Sequence, residues 1–185
     1  MASCSQVHLQ QTIQNLNNTN YWNGTDWTGG EEWVTAEGTT SWSYGLSGGE
    51  FDDGATYQFR SRGIDSVGNV QSEYGIDTLI YDTSEPNTVL DILGEFYNVA
   101  GWDTAAPIQG TATDTTSGLV QVEVLIYDVN EDGYWNGTNW EQDEFWLAAE
   151  GLEDWSYLFA ADNMAEAALF TISVRATAGA GNVEA

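Results

Sequence analysis

The chain has 185 residues, and its 29 acidic residues stand against three arginines and no lysine, a formal net charge of −26. That balance excludes nucleic acid and anionic membrane as partners, because both are held through cationic contacts; it favours solubility and metal cations, and it opposes compaction through self-repulsion. No apolar run is long enough to span a membrane, no charged-then-apolar leader opens the chain, and the lone Cys4 cannot close an intrachain disulfide.

In chain order, Val7, Leu9, Gln11 and Ile13 share one phase of a two-residue alternation and predict a first strand. His8, the only histidine, falls on the outward phase. Residues 21–27 read YWNGTDW. Asn-Gly is a strong hairpin signal, because both central residues of a type I′ turn take φ > 0. Trp22 and Trp27 then stand on the two arms, within reach of each other. One reading is a turn closed by an aromatic clasp; the other is an exposed aromatic platform for sugar. Asn17, Asn23 and Asn136 also fit the N-glycosylation sequon. Further on, Tyr57, Phe59 and Ser61 alternate with Gln58, Arg60 and Arg62, which predicts a strand, with Tyr57 placed to bond nearby backbone as a tyrosine corner. Gly68 and Asn69 suit a tight connection, and residues 76–81, IDTLIY, predict another strand.

The second half repeats the first. YWNGTNW at 134–140 matches YWNGTDW at an offset of 113, which also carries Trp33 onto Trp146, Trp42 onto Trp155, Arg62 onto Arg175 and the GNV at 68–70 onto that at 181–183. No gap is needed between Tyr21 and Ser72, and about 19 of those 52 positions are identical. A fixed long period means tandem copies of one domain, an organisation typical of spacers, scaffolds and stalks. Val120, Val122, Val124 and Ile126 predict a half-buried strand, and Phe170, Ile172 and Val174 repeat the strand that begins at Tyr57. Trp135 and Trp140 repeat the clasp. Helix signals are nearly absent; an Ala-rich patch near Met164–Leu169 predicts one turn at most. Short strands separated by Gly, Asn, Asp, Ser and Thr clusters predict an all-β chain of two antiparallel sandwiches.

Catalytic chemistry finds little support. One isolated imidazole builds neither a serine triad nor a histidine metal site, and no glycine-rich phosphate loop is present. Glu37 and Glu150 recur, each within AEG after a tryptophan; duplicated in a tandem array, they read as structural rather than as glycosidase carboxylates. The chain is expected not to be an enzyme.

These motifs carry a family resemblance. YDTSEPN at 81–87, GTATDTTSG at 110–118, YWNGT twice, and SRGIDSVGNV and VRATAGAGNV near the repeat ends resemble the bacterial Ig-like and fibronectin type III-like repeats of very large extracellular adhesins and surface fibres. Ala178, where the first copy has Asp65, and Glu85-Pro86, in place of a double proline, depart from the pattern. The resemblance implies an extracellular, cell-surface protein whose modules serve an adhesin stalk or filament. Its expected partners are neighbouring domains or further copies of itself, with surface glycans as the alternative and no membrane insertion. In such arrays calcium stiffens domain junctions, and the candidate ligands here are Asp65, Asn69, Asp77, Asp82, Glu85, Asp103 and Asp114; a solvated acidic surface is the competing expectation. Read in the repeat's phase, the domains are 1–84, lacking its first strands, and 85–185, lacking its last. Two readings stay open: a fragment of a longer array, or a subunit that assembles by strand exchange, with Val7, Leu9, Gln11 and Ile13 as the exchange candidate.

Overall fold

The two-residue alternations become strands in the computed structural model, which describes residues 8–91, 94, 96–104, 108–166 and 168–185, with backbone only at 103 and 104. The chain is all-β and antiparallel, with open sheets and one short α-helix among the described residues. It divides into two compact units, Met1–Asp82 and Thr83–Ala185.

Unit 1 contains β1 (His8–Asn15), β2 (Tyr21–Trp22), β3 (Trp27–Thr28), β4 (Val34–Thr35), β5 (Glu37–Gly38), β6 (Trp42–Ser43), β7 (Thr56–Ile64) and β8 (Gly75–Ile80). Six of these form one sheet in the order β3-β2-β1-β7-β8, with β4 also on β1; β5 and β6 form a separate hairpin. The inward phase of β1 and β7 buries Ile13 and Tyr57 with Trp22 and Ala55, and Trp27, Val34, Tyr44, Leu46, Phe51, Phe59 and Tyr81 pack around them. Here the tyrosine corner forms: the Tyr57 hydroxyl accepts the Asp52 backbone N–H at 2.7 Å and the Asn15 side-chain amide at 3.3 Å. Burial, the largest influence on this phenol, raises its pKa above the ordinary value. Phe170, the counterpart in unit 2, has no hydroxyl.

Unit 2 contains β9 (Asn87–Leu90), α1 (Val99–Thr104), β10 (Ile108–Thr113), β11 (Leu119–Asp128), β12 (Gly133–Trp135), β13 (Trp140–Glu141), β14 (Leu147–Ala148), β15 (Glu150–Gly151), β16 (Asp154–Tyr157) and β17 (Phe170–Ala178). It has two sheets. One runs β15-β16-β10-β9; the other runs β13-β12-β11-β14, with β17 on the far side of β11. Between them lies the larger core: Ile108 and Ala112 of β10 and Trp155 of β16 meet Val122, Val124, Ile126, Trp135, Leu147 and Ala176. Helix α1 seals one end. Its Trp102 is buried and donates its indole N–H to the Phe159 carbonyl at 2.6 Å.

The two copies agree strand by strand from β1 to β7 and from β11 to β17, apart from small differences at strand ends. Each has elements the other lacks among the described residues: β9 and β10 in unit 2, β8 in unit 1. Two expectations need correction. Val120 is not in phase with Val122, Val124 and Ile126; the register shifts between Leu119 and Gln121, and this bulge leaves Val120 exposed. The Asn-Gly turns are not type I′. Only Gly24 (φ 106°) and Gly137 (φ 99°) are left-handed, and the loop between the tryptophans has four residues. The Asn23 side-chain carbonyl accepts from the N–H groups of Thr25 and Asp26 at 2.9 and 2.8 Å, so it satisfies a wider loop than a two-residue turn needs. Asn136 repeats this with Thr138 and Asn139.

Candidate functional site

Three constellations recur in both units, and each is built from residues that the duplication brings forward. The first is the tryptophan pair. Trp22 faces Trp27 across the β2–β3 hairpin with ring centroids 5.6 Å apart, and Trp135 faces Trp140 at 5.4 Å. Trp22 and Trp135 are buried, and Trp27 and Trp140 are half-buried. The Trp22 indole N–H donates to the Tyr44 hydroxyl at 3.0 Å, and that of Trp27 donates to the Glu50 carbonyl at 2.8 Å. An aromatic ring with its polar edge satisfied inside the protein is a packing element. Trp140 also stacks on Phe170 at 5.7 Å.

The second constellation holds the arginines. The Arg62 guanidinium lies 3.8 Å from the Trp33 ring centre and donates two hydrogen bonds to the Gln10 side-chain carbonyl, at 3.0 and 2.8 Å. In unit 2, Arg175 lies 4.1 Å from the Trp146 ring centre and pairs with Glu123 at 2.8 Å. Arg60 bonds Glu31 and lies near both the Trp33 and Tyr74 rings, at 5.8 and 5.7 Å from their centres. All three arginines are thus spent on internal stacks. A chain this acidic keeps cations where they tie a loop to a strand.

The third is the AEG hairpin. Gly38 (φ 96°) and Gly151 (φ 87°) turn β5 into β6 and β15 into β16, and a Cβ at either would meet a backbone oxygen, that of Ser41 at 2.2 Å or Asp154 at 2.1 Å. Glu37 and Glu150 are exposed on these hairpins. The recurrence of the glycine in AEG follows from this backbone.

The residues proposed for calcium are divided between the two units. In unit 1, the Asp65 carboxylate accepts the N–H groups of Val67 and Asn69 at 2.9 and 2.8 Å and the Asn69 side-chain amide at 2.7 Å. The Asn69 side-chain bond, first among its causes, holds the Asp65 pKa below the ordinary carboxylate value. Asp77 lies exposed on β8 and accepts the Thr78 N–H at 2.8 Å, and Asp82 is buried. In unit 2, Glu85 is exposed, Asp103 lies on α1 with its side chain outside the described residues, and Asp114 caps its own turn through the N–H groups of Thr116, Ser117 and Gly118 at 3.1, 2.8 and 2.8 Å. Among the described residues no three His, Cys, Asp or Glu side chains are grouped to hold a metal ion.

Val7 lies outside the described residues. Leu9, Gln11 and Ile13 lie on β1, which pairs with β7 along its whole length and with β2 and β4 on its other side. Sequence reasoning passed over a groove beside Trp42, lined by Gln11, Phe59, Arg60, Ser61, Gly75, Ile76 and Asp77. The recurrence of Trp42 as Trp155 was the available signal, but it does not reveal which copy exposes the ring. No described helix is long and apolar enough to cross a membrane. No protein-family model and no curated protein matches this sequence.

Proposed function

We propose that the chain is a non-catalytic extracellular structural module, part of an adhesin stalk or a surface filament, whose partners are neighbouring domains or further copies of the repeat. One observation supports this most: what the duplication preserves is framework. The tryptophan pair, the arginine stacked on tryptophan and the glycine hairpin recur in both units, and in each the recurring groups face one another. A binding site repeated for its ligand would instead preserve polar groups converging on an open cleft. The strongly negative surface fits a spacer that keeps its distance from anionic polymers and membranes. The test is mechanical: a full chain tethered by its ends and pulled should resist stretching until its β units unfold in steps. Free extension would count against the module.

A second reading rests on Trp42, which is 40% exposed at the groove described above. An exposed ring beside Gln11 and Asp77 has the apolar face and polar rim that a sugar requires. Titration with soluble polysaccharides tests it: binding that Trp42→Ala abolishes would favour carbohydrate recognition, and no binding would remove that reading.

A further inference from the structure

Asn17, Asn23 and Asn136 each open an Asn-x-Thr sequon, and the fold treats the three differently. A glycan on such an asparagine is carried by the side-chain amide nitrogen, and the hydroxyl two residues on belongs to the recognised motif. An acceptor in a folded chain therefore needs a side chain in solvent, an unengaged amide nitrogen and that hydroxyl beside it.

Asn23 meets all three conditions. Residues 23–26 are exposed at the tip of the β2–β3 hairpin. The Asn23 side-chain carbonyl accepts from the Thr25 N–H at 2.9 Å, the Asp26 N–H at 2.8 Å and the Thr25 hydroxyl at 3.0 Å. These bonds hold the carboxamide by its oxygen and set the hydroxyl against it. The amide nitrogen has two protons to give, and it donates neither to a described residue.

Asn136 sits in the same loop, with the same three bonds at 2.9, 2.8 and 3.0 Å. It is half-buried, however, and its amide nitrogen donates to the Glu141 carboxylate at 3.2 Å. The counterpart of Glu141 at the offset of 113 is Thr28, whose hydroxyl donates to the Tyr21 carbonyl at 3.3 Å and leaves the Asn23 amide alone. A carboxylate beside the amide also repels an anionic glycosyl donor. Asn17 differs in another way. Its side-chain carbonyl accepts the Thr56 N–H of β7 at 2.8 Å, Thr19 is left-handed (φ 64°), and the Thr19 hydroxyl makes no described bond to Asn17.

We propose that Asn23 is an acceptor for N-linked glycan and that Glu141 holds the duplicated Asn136 back from the same reaction. The donor is a glycosyl diphosphate carried on a lipid. The Asn23 amide nitrogen bonds to the anomeric carbon of the sugar as the bond from that carbon to the diphosphate oxygen breaks. The diphosphate leaves with the electron pair of that bond, one amide proton passes to solvent, and nothing is oxidised or reduced. Because the four loop residues are exposed, the glycan adds outside the packed Trp22–Trp27 pair. The assignment goes beyond the mechanical reading and does not depend on it.

The test uses the full folded chain, a purified oligosaccharyl transferase that takes Asn-x-Thr, and its lipid-diphosphate-linked oligosaccharide. Peptide mapping by mass spectrometry follows the occupancy of each asparagine. The initial rate at Asn23 should exceed that at Asn136 by roughly three- to tenfold, the range for one exposed hydrogen bond to a charged partner, and Asn17 should stay below Asn23. Exchanging the deciding residue should move the preference: Glu141→Thr raises Asn136 toward the Asn23 rate, and Thr28→Glu lowers Asn23. The wild-type comparison decides the matter even where a variant folds poorly. No transfer to Asn23, equal rates at Asn23 and Asn136 in the wild-type chain, or rates that ignore the exchange in folded variants would overturn the assignment.

Discussion

Trp42 and Trp155 occupy the same position of the repeat, each on the second arm of a hairpin turned by a left-handed glycine, yet Trp42 is 40% exposed and Trp155 is 2% exposed. The difference comes from β10. In unit 2, Gly110 lies opposite Trp155 in the ladder, and a Cβ at Gly110 would come within 2.8 Å of the indole ring. In unit 1 no described strand covers that side of β6. The first prediction follows. Trp155→Ala empties a packed core and should cost about 3–5 kcal/mol, as large aromatic truncations do. Trp42→Ala should cost under about 1 kcal/mol. Denaturant unfolding of the two variants measures both, and equal losses would show that the two positions are packed alike.

The inner faces show the same asymmetry and explain why it was not legible. Unit 2 pairs Val124 with Val174 beneath β10, and unit 1 pairs Gln11 with Ser61 at that place. Read along the sequence, Gln11 looks like a weaker core residue of one strand. Its meaning depends on a second sheet that lies far away in the chain. The antiparallel all-β class, the first-copy strands and the tryptophan clasp were legible because alternation and duplication are local signals. Helix α1 was not, since six residues are too few to show a 3.6-residue period. Its buried Trp102 is explained by a contact with Phe159, 57 residues further on. The turn at Asn23 was misjudged because the asparagine side chain chose the loop.

Tyr57→Phe gives unit 1 the residue that unit 2 already has. It leaves the Asp52 N–H without its acceptor and the Asn15 amide with only its 3.4 Å bond to the Asp52 carboxylate, and it should cost about 1–2 kcal/mol in denaturant unfolding. No loss would show that the corner bond is idle. The raised phenol pKa adds a pH signature. A group raised in the folded state stabilises below its unfolded pKa, and that contribution is lost as pH rises through the folded value. Wild type should therefore lose stability above about pH 10 more steeply than the variant.

Asp65 has the opposite sign. Its folded pKa is lowered, so its contribution is present above the ordinary aspartate value, about 3.9, and is lost as pH falls through the lower folded one. Asp65→Ala copies Ala178, where the same turn forms through Ala178 N–H to Asn182 O at 2.8 Å and Gly181 N–H to Ala178 O at 2.9 Å. The variant should fold, melt below wild type at neutral pH, and converge with it in acid. Melting curves between pH 7 and pH 2 read this, and a constant difference would contradict it.

The arginine stacks predict coupling. In a double-mutant cycle, Arg62→Ala and Trp33→Ala should be non-additive by about 0.5–2 kcal/mol, and Arg175 with Trp146 should match them. Arg62→Lys should recover little, because an ammonium lacks the planar face and the fork that reaches Gln10. Additive losses would mean that the rings and guanidiniums are merely adjacent.

The most direct measurement of the central claim is single-molecule stretching of the full chain, tethered at its two ends. A force-resisting module predicts two unfolding steps, scaling with units Met1–Asp82 and Thr83–Ala185 at about 3.3–3.6 Å per released residue. Smooth extension without steps would contradict the account.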